Sequence, residues 1–287
     1  MSTPTIQWYP GHIAKAEKQL NQNLQKVDLI IEVRDARIPL ATSHPHLQKW
    51  IKDKKHLLVI NRRDMISVEA MAKWDSWFRS QGESPWWCNA KSGTGVKQIK
   101  EAAIRAGESI NKRRRARGML DRPIRALTLG FPNVGKSALI NRLMNKKAVA
   151  SSRKAGVTRS LQWVRLGKEL DLLDAPGVLP PRLDDQKSAI LLALCDDIGQ
   201  AAYDVERVAI IFLEILKKSE DLNTAGSSLH ILKKRYGVDY SRIKTNAHEW
   251  LLSAAELHTS SDTRRMSQRL LDDFRKSLLG LISLKMP

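Results

Sequence analysis

The segment Gly130-Phe131-Pro132-Asn133-Val134-Gly135-Lys136-Ser137 most constrains the fold, because it joins an apolar run at 124–129 to helix-forming residues at 138–143. A strand, a glycine-rich loop and a helix in this order are typical of a phosphate-binding loop, whose backbone N–H groups converge on phosphate oxygens. We expect Lys136 to reach the β- and γ-phosphates and the Ser137 hydroxyl to bind Mg²⁺. The segment therefore predicts an α/β domain that binds a nucleotide.

Further short runs of apolar and β-branched residues predict the other strands of this domain. They lie at 27–33, 56–60, 85–88, 161–166 and 170–173. Stretches with helical character, such as 68–81 and 95–105, lie between several of these runs. Because strands that alternate with helices form layered sheets, we expect an α/β fold with a mixed, mostly parallel sheet and helices on both faces.

Helical periodicity replaces the strand-like runs after Pro180-Pro181. Near the end of the chain, apolar residues recur every three or four positions: Met266, Leu270, Phe274, Leu278 and Leu281. A helix cap is predicted before them, at Ser261 or Asp262. We therefore expect two domains, a nucleotide-binding domain at 1–178 and a small all-α domain at 179–287.

The charge of the chain is strongly positive, with 49 Lys and Arg against 30 Asp and Glu, and +18 of the net +19 lies in residues 1–177. Such an excess favours a polyanionic partner, either nucleic acid or an anionic membrane surface. No apolar run approaches the roughly 20 residues of a membrane-spanning helix. The first residues lack the features of a signal peptide, and the two cysteines lie far apart. We therefore expect a cytoplasmic protein without a disulfide framework or a zinc site.

A run of basic residues, Lys112-Arg113-Arg114-Arg115-Ala116-Arg117, lies between the predicted helix at 95–105 and the predicted strand at 124–129. One interpretation is a solvated connector, and the other is a patch that contacts phosphates directly. The positive charge of the surrounding domain slightly favours contact with nucleic acid.

Two segments upstream of the phosphate-binding loop have the form of base-recognition motifs. Asn61-Arg62-Arg63-Asp64 follows one predicted strand, where GTPases carry Asn-Lys-x-Asp, and Asn89-Ala90-Lys91-Ser92 follows the next, like the Ser-Ala-Lys that backs a guanine ring. A carboxylate at Asp64 can accept hydrogen bonds from guanine N1–H and the exocyclic amine. We expect guanine specificity to depend on Asp64. Arg62 and Asn89 depart from the usual lysine and serine, and we expect them to change affinity modestly.

Two further segments are candidates for contacts with the metal and the γ-phosphate. The strand at 170–173 leads into Asp174-Ala175-Pro176-Gly177, whose carboxylate is expected to hold Mg²⁺ and whose glycine N–H is expected to sense the γ-phosphate. Thr158 lies between this segment and the phosphate loop and is expected to complete the metal shell. The predicted Mg²⁺ ligands are therefore Ser137, Thr158 and Asp174.

The base-recognition motifs precede the phosphate motifs along the chain, and a sheet tolerates this order because ligands gather at the carboxyl ends of its strands. The chain thus resembles the circularly permuted GTPases and, within them, the ribosome biogenesis GTPase A family. The resemblance covers nearly the whole length and includes Trp8-Tyr9-Pro10-Gly11-His12 and Asp35-Ala36-Arg37-Ile38-Pro39. It implies a P-loop GTPase domain, a helical domain that helps to bind ribosomal RNA, and a role in late maturation of the large ribosomal subunit.

In Ras-like enzymes a glutamine directly after Asp-x-x-Gly orients the attacking water. The corresponding residue in this chain is Val178, which cannot do so. We therefore expect slow intrinsic hydrolysis that the ribosomal particle stimulates. The resemblance assigns a catalytic role to His12, beside Lys136; the equal alternative is that His12 caps or packs the helix after it. By resemblance to potassium-stimulated GTPases, Asn133 is expected to hold K⁺ beside the phosphates.

We therefore predict a monomeric GTPase with Mg²⁺ and K⁺ as cofactors, whose partners are GTP, GDP and the precursor of the large ribosomal subunit with its RNA. One alternative is a nucleotide-regulated RNA-binding scaffold with little GTPase activity. Another is a GTPase recruited to a membrane surface, although the chain carries no lipidation motif. The residues expected to contact GTP are Asn61, Arg62, Arg63, Asp64, Asn89, Ala90, Asn133, Val134, Gly135, Lys136, Ser137, Ala138, Thr158 and Gly177.

Overall fold

The fold is given by a computed structural model, which describes residues 6, 20–52, 54–145, 162–175, 177, 185–221, 228–239, 241, 243 and 246–287. Some residues that the sequence singles out lie outside these ranges: His12, Thr158, Val178 and Pro180-Pro181. The boundary predicted between residues 178 and 179 also lies outside them and stays a prediction.

Six strands in the described part of the chain form one sheet. They are β1 Leu29–Asp35, β2 Lys55–Asn61, β3 Trp86–Trp87, β4 Ile124–Leu129, β5 Gln162–Leu166 and β6 Leu170–Asp174. Their order is β3-β2-β1-β4-β6-β5, and all neighbours are parallel except β5 and β6. Every residue of β1 is buried, as expected for a strand in the interior of a covered sheet. The prediction of a mixed, mostly parallel sheet is confirmed.

Helices flank the sheet and make up most of the later part of the chain. They are α1 Leu47–Ile51, α2 Val68–Ser80, α3 Val96–Arg115, α4 Lys136–Leu143, α5 Gln186–Leu194, α6 Val205–Asp221, α7 Ser228–Tyr236, α8 Ala247–Thr259 and α9 Thr263–Arg275. Residues 20–24 are also helical. Alternate residues of β1 enter different apolar clusters, Leu29 and Ile31 in one and Ile30 in the other. Both faces of the sheet are therefore covered, as predicted.

Helix α3 is longer than the stretch at 95–105 that the sequence predicts. Its last buried residue is Gly107, and the helix then continues to Arg115 through mostly charged residues, since Glu, Lys and Arg all favour helix formation. The apolar pattern stops where the sheet stops, which is why the sequence indicates too early an end. Most of the basic run at 112–117 is therefore the end of a helix, and most of its side chains are exposed. The two interpretations of the run, a solvated connector and a patch that contacts phosphates, both stay predictions.

The last helix, α9, begins at one of its predicted caps but ends earlier than its apolar pattern indicates. The Asp262 carboxylate accepts a hydrogen bond from a backbone N–H of the first turn at 2.8 Å. Leu278 and Leu281 lie beyond the helix and are 46% and 53% exposed, so their predicted place on its buried face is wrong. Positive φ angles at Ser277 and Gly280 turn the chain out of the helical period.

The end of the chain returns to the sheet. Leu284 N donates a hydrogen bond to Arg37 O at 3.2 Å, just beyond the carboxyl end of β1. Met286 packs against the buried cluster that contains Trp74. The helices after residue 185 thus pack on the nucleotide-binding part of the chain. No helix in the described ranges is long and apolar enough to span a membrane.

Candidate nucleotide-binding site

The carboxyl ends of four parallel strands form the candidate site. Asp35 ends β1, Asn61 ends β2, Gly130 follows β4 and Asp174 ends β6. Because the carboxyl ends of parallel strands meet at one edge of a sheet, residues that are far apart in the sequence converge there. The base-recognition and phosphate segments are therefore neighbours in space, although their order along the chain is reversed.

Two glycines give the phosphate loop at 130–137 its shape. Gly130 has a φ of 154° and Gly135 a φ of 100°. A Cβ atom on Gly130 would lie 2.4 Å from Val33 O, and one on Gly135 would lie 2.2 Å from the side-chain nitrogen of Asn61. Both positions therefore require glycine. The loop leads directly into α4. Unpaired backbone N–H groups at the N-terminus of a helix that follows such a loop form a binding site for phosphate.

Lys136 is buried in this loop. Its Nζ donates hydrogen bonds to Gly130 O at 3.1 Å and to Phe131 O at 2.8 Å. Burial lowers the pKa of Lys136 to about 8, and the nearby carboxylate of Asp174 offsets only part of this effect. A phosphate in the loop would add negative charge beside the amine and favour its charged form.

Ser137 and Asp174 form a pair suited to a divalent cation. The Ser137 hydroxyl donates to Asp174 Oδ2 at 3.3 Å. Burial raises the pKa of Asp174, while the charge of Lys136 opposes the shift. The other carboxylate oxygen, Oδ1, is buried and has no hydrogen-bond partner among the described residues. A hard oxygen donor in that position, next to a hydroxyl, fits the preferences of Mg²⁺.

Gly177, the last residue of the Asp-x-x-Gly segment, lies directly against the phosphate loop. A Cβ atom on Gly177 would lie 2.6 Å from both N and Cα of Pro132. This contact requires glycine for steric reasons. It also means that a shift of this segment toward the loop would displace the loop itself.

The Asn61 side chain joins the base-recognition segments to the phosphate loop. Its Nδ2 donates to Val134 O at 2.9 Å, and its Oδ1 accepts from Ala90 N at 2.9 Å. The side chain is buried at the end of β2. One amide group thus holds the loops after β2, β3 and β4 in fixed relative positions.

The two base-recognition loops are stabilised by local hydrogen bonds. Asn89 Oδ1 accepts from Lys91 N at 2.8 Å and from Ser92 N at 3.0 Å, which closes a turn in its loop. Arg142 from α4 donates to Ala90 O at 3.4 Å and also to Lys91 O. Asp64 lies in a short 3₁₀ helix with its side chain exposed. An exposed carboxylate beside this loop is free of the core and can meet the edge of a base.

Arg62 occupies the position of the usual lysine and has a left-handed backbone conformation, with a φ of 63°. Its guanidinium donates to Asp35 Oδ2 and to Asn133 O. The planar group of an arginine can stack over a base. In this structure the guanidinium instead ties the base-recognition segment to the phosphate loop.

Asp35 anchors a buried group of charges beside the loop. Its carboxylate accepts from Arg37 Nε at 3.0 Å and from an Arg37 terminal nitrogen at 2.7 Å. Burial alone would raise the pKa of Asp35, but the guanidinium groups of Arg37 and Arg62 hold it well below its usual value. Arg37 also donates to Cys195 O at 3.1 Å, beyond the end of α5.

The turn at 195–197 completes this group from the helical part of the chain. Asn133 Nδ2, in the phosphate loop, donates to Asp196 O at 2.6 Å. Asp197 Oδ1 lies 3.6 Å from an Arg62 nitrogen. Burial and the negative charge of Asp35 raise the pKa of Asp197. The phosphate loop and the helical part therefore share direct polar contacts.

Sequence reasoning missed this contribution. It singled out Asp35 and Arg37 only within a segment shared with a known family, and it gave Asp196 and Asp197 no role. The Arg37 contact joins residues 158 positions apart in the chain. Neither spacing nor periodicity carries information on a contact of that kind.

Comparison with known proteins gives relatives for this chain. Residues 125–235 match the protein family described as 50S ribosome-binding GTPase. Ribosome biogenesis GTPase A of Bacillus pumilus is 35% identical over 232 residues, which cover 81% of this chain and 79% of the relative. The protein of the same name from Bacillus cereus is 38% identical over 214 residues, or 74% of this chain and 72% of the relative.

A solved structure shares the fold. The crystal structure of GNP-bound YlqF from T. maritima matches with a TM-score of 0.62 over 95% of this chain and 98% of that chain. The two sequences are 22% identical, so this match bears on the fold alone.

Proposed function

Because this chain belongs to the ribosome biogenesis GTPase A family and is a GTPase, we propose that it binds GTP with Mg²⁺ and hydrolyses it during late maturation of the large ribosomal subunit. The observation that carries this proposal is the Asn61 amide, which contacts Val134 of the phosphate loop and Ala90 of a base-recognition loop. Loops that read a base and loops that hold phosphates are useful together only when one ligand spans both.

In this proposal the nucleotide contacts are those that the sequence indicates. Asp64 accepts hydrogen bonds from the guanine edge, and Ala90 and Asn89 lie behind the ring. Arg62 acts by holding the loops together. The full set is Asn61, Arg62, Arg63, Asp64, Asn89, Ala90, Asn133, Val134, Gly135, Lys136, Ser137, Ala138, Thr158 and Gly177, of which Thr158 lies outside the described residues.

Ser137 and Asp174 are the proposed Mg²⁺ ligands, joined by Thr158 when the γ-phosphate is present. Mg²⁺ bound there would neutralise charge on the β- and γ-phosphate oxygens. Lys136 is proposed to stabilise the charge that develops on those oxygens during transfer. His12 is proposed to orient the attacking water. A His12→Ala protein that binds GTP normally and hydrolyses it at the wild-type rate would remove His12 from the mechanism.

Asn133 is the proposed ligand for K⁺. Its side-chain nitrogen, Nδ2, donates to Asp196 O. Its side-chain oxygen, Oδ1, is the atom that suits a cation. Support for this proposal comes from the place of Asn133 within the phosphate loop. Equal GTP turnover in K⁺ and Na⁺ would contradict it.

The proposed partner is the precursor of the large ribosomal subunit with its RNA, consistent with the net charge of +19. We propose that residues 1–178 form the GTPase domain and residues 179–287 a helical domain that helps to bind RNA. We further propose that the protein is monomeric and acts in the cytoplasm.

The direct test is GTP turnover measured with and without purified large-subunit particles. We expect slow turnover alone, because Val178 replaces the usual glutamine, and at least about tenfold stimulation by the particles. Particles that bind the protein without changing turnover would contradict stimulated hydrolysis. That outcome would instead favour an RNA-binding scaffold regulated by the nucleotide.

Base specificity can be tested at Asp64. An Asp64→Asn side chain presents an amide where guanine presents its own donors, so we expect at least about a hundredfold loss of GTP affinity. Xanthosine triphosphate carries an acceptor oxygen in place of the exocyclic amine, so it should bind the variant more tightly than it binds the wild type. Equal preference for GTP over ATP in the wild type and the variant would show that Asp64 does not read the base.

A further inference from the structure

Helix α3 extends well beyond the sheet that it covers. Gly107 packs on the first residue of β4, since a Cβ atom on Gly107 would lie 2.2 Å from Ile124 Cδ1. It is also the last buried residue of the helix. Residues 108–115 then continue for about 12 Å, at 1.5 Å per residue, past the edge of the sheet. We call residues 108–117 the overhang.

The overhang is strongly positive. It contains five Lys or Arg residues, and Glu108 is its one acidic residue. Arg115 pairs with Asp121 at 2.6 Å, whereas Lys112 and Arg113 have no acidic partner in the part of the chain that the structure describes. One basic residue in the last turn favours a helix through its dipole by about 0.3–1 kcal/mol. Several adjacent cations repel one another, so helix stability does not account for this sequence.

The overhang is held in a fixed position. The Asn111 side chain donates to Arg122 O at 3.0 Å and accepts from Arg122 N at 3.2 Å. The Arg122 guanidinium forms two hydrogen bonds with Asp28, just before β1, at 2.7 and 2.8 Å. Arg114 Nε donates to Leu120 O at 3.0 Å. These contacts tie the returning chain to the helix and to the sheet, so little ordering is needed when a partner binds.

We propose that the overhang is a second RNA-binding surface, which contacts the phosphates of ribosomal RNA on the side of the GTPase domain away from the nucleotide. It passes the amino end of β4, whereas the nucleotide loops lie at the carboxyl end, roughly 20 Å away by the rise of a six-residue strand. Guanidinium groups match phosphate geometry. The inference rests on the proposed ribosomal partner, since it adds a contact with the same particle.

An anionic membrane is a less suitable partner for this surface. The exposed apolar residues beside the overhang are Met119 and Leu120, at 48% and 86% exposure. Two such residues do not form the broad apolar face of an interfacial helix. The overhang is rich in arginine, and its contacts with the returning chain hold it in place. Both features favour binding to a structured polyanion such as folded RNA over binding to a membrane surface.

The test compares two double substitutions within the same helix. K112Q/R113Q neutralises one lysine and one arginine of the overhang, and K97Q/R105Q neutralises the same pair of residue types over the sheet. All four side chains are exposed, and glutamine favours helix formation. Binding of the full-length protein to purified large ribosomal subunits and to naked large-subunit RNA is measured across a range of KCl concentrations.

We expect K112Q/R113Q to weaken binding at least about tenfold near 0.15 M salt, on the subunit and on naked RNA alike. The slope of log affinity against log salt should become shallower by about 1 to 2, as for the loss of two phosphate contacts. K97Q/R105Q should bind within about twofold of the wild type. GTP affinity should be unchanged in both proteins, which checks their folding.

Equal weakening by the two pairs would overturn the inference, because only the overall charge would then matter. A loss on subunits but not on naked RNA would assign the surface to a ribosomal protein and also overturn it. The inference would also be overturned if K112Q/R113Q bound RNA as tightly as the wild type but no longer bound phosphatidylglycerol vesicles that the wild type binds. That result would assign the overhang to a membrane surface. If the wild type bound neither subunits nor RNA, the proposed function would fail as well.

Discussion

Asn61→Ala should uncouple the base-recognition loop from the phosphate loop. The substitution removes two hydrogen bonds of 2.9 Å, one to Val134 O and one from Ala90 N. Both partner residues are at most 4% exposed, so water replaces the amide poorly. Leaving a buried backbone group without a partner costs about 1–3 kcal/mol. We expect the free energy of unfolding to fall by about 3 kcal/mol, which lowers Tm by about 6–12 °C.

The same change should weaken nucleotide binding. Without the amide, GTP has to order two independent loops, and we expect at least a tenfold loss of affinity, or about 1.4 kcal/mol. Affinity is measured with a fluorescent GTP analogue at a temperature where the variant is folded, and Tm is measured by thermal denaturation. The change in Tm tests packing, and the change in affinity tests coupling between the loops.

Asn111→Ala is the matched control. Asn111 also makes two hydrogen bonds to backbone groups, both of Arg122, but it is partly exposed and remote from the nucleotide loops. We expect a smaller loss of stability and unchanged GTP affinity. If Asn61→Ala lost stability but bound GTP as tightly as Asn111→Ala, the amide would support the fold without coordinating the two loops, and our reasoning would be refuted.

Two further predictions concern the metal and pH. Ser137→Ala should weaken GTP binding at least about tenfold in Mg²⁺ and change it little in EDTA, because the lost hydroxyl is a proposed metal ligand. Equal weakening of GTP binding in Mg²⁺ and in EDTA would instead indicate that the hydroxyl contacts phosphate. The folded-state pKa of Asp197 is raised to about 8 from an ordinary 3.8, so folding favours its protonated form and its contribution to stability falls as pH rises from about 4 to 8. Asp197→Asn should therefore lose less stability than the wild type over this range in denaturant titrations, and parallel losses would rule out a role for Asp197 in this pH dependence.

The sequence predicted the parts of the fold that depend on local constraints. Gly130 and Gly135 stand at fixed spacing between a strand and a helix, and their backbone angles permit few alternatives. The buried strands are short apolar runs, which favour a covered parallel sheet. The adjacency of Asn61 and the phosphate loop follows from sheet geometry once both are placed at strand ends.

Other parts of the fold could not be predicted from the spacing of residue types along the sequence. The end of α3 was missed because apolar spacing reports contact with the sheet and not the extent of the helix. Leu278 and Leu281 continue a helical spacing after the helix has ended, because their backbone turns at Ser277 and Gly280. The contact of Arg37 with Cys195 O depends on how two distant parts of the chain pack together.

The contact between Asn133 and Asp196 has a thermodynamic consequence. One side-chain donor of the phosphate loop is committed to a backbone oxygen of the helical part. A ligand that binds the Asn133 amide in place of Asp196 O weakens the association between the phosphate loop and the helical part. Conversely, a partner that moves the turn at Asp196 breaks this hydrogen bond and leaves the amide available to the ligand. By linkage the two effects are equal in size. A neutral hydrogen bond of about 1 kcal/mol corresponds to roughly a fivefold change in affinity, in either direction.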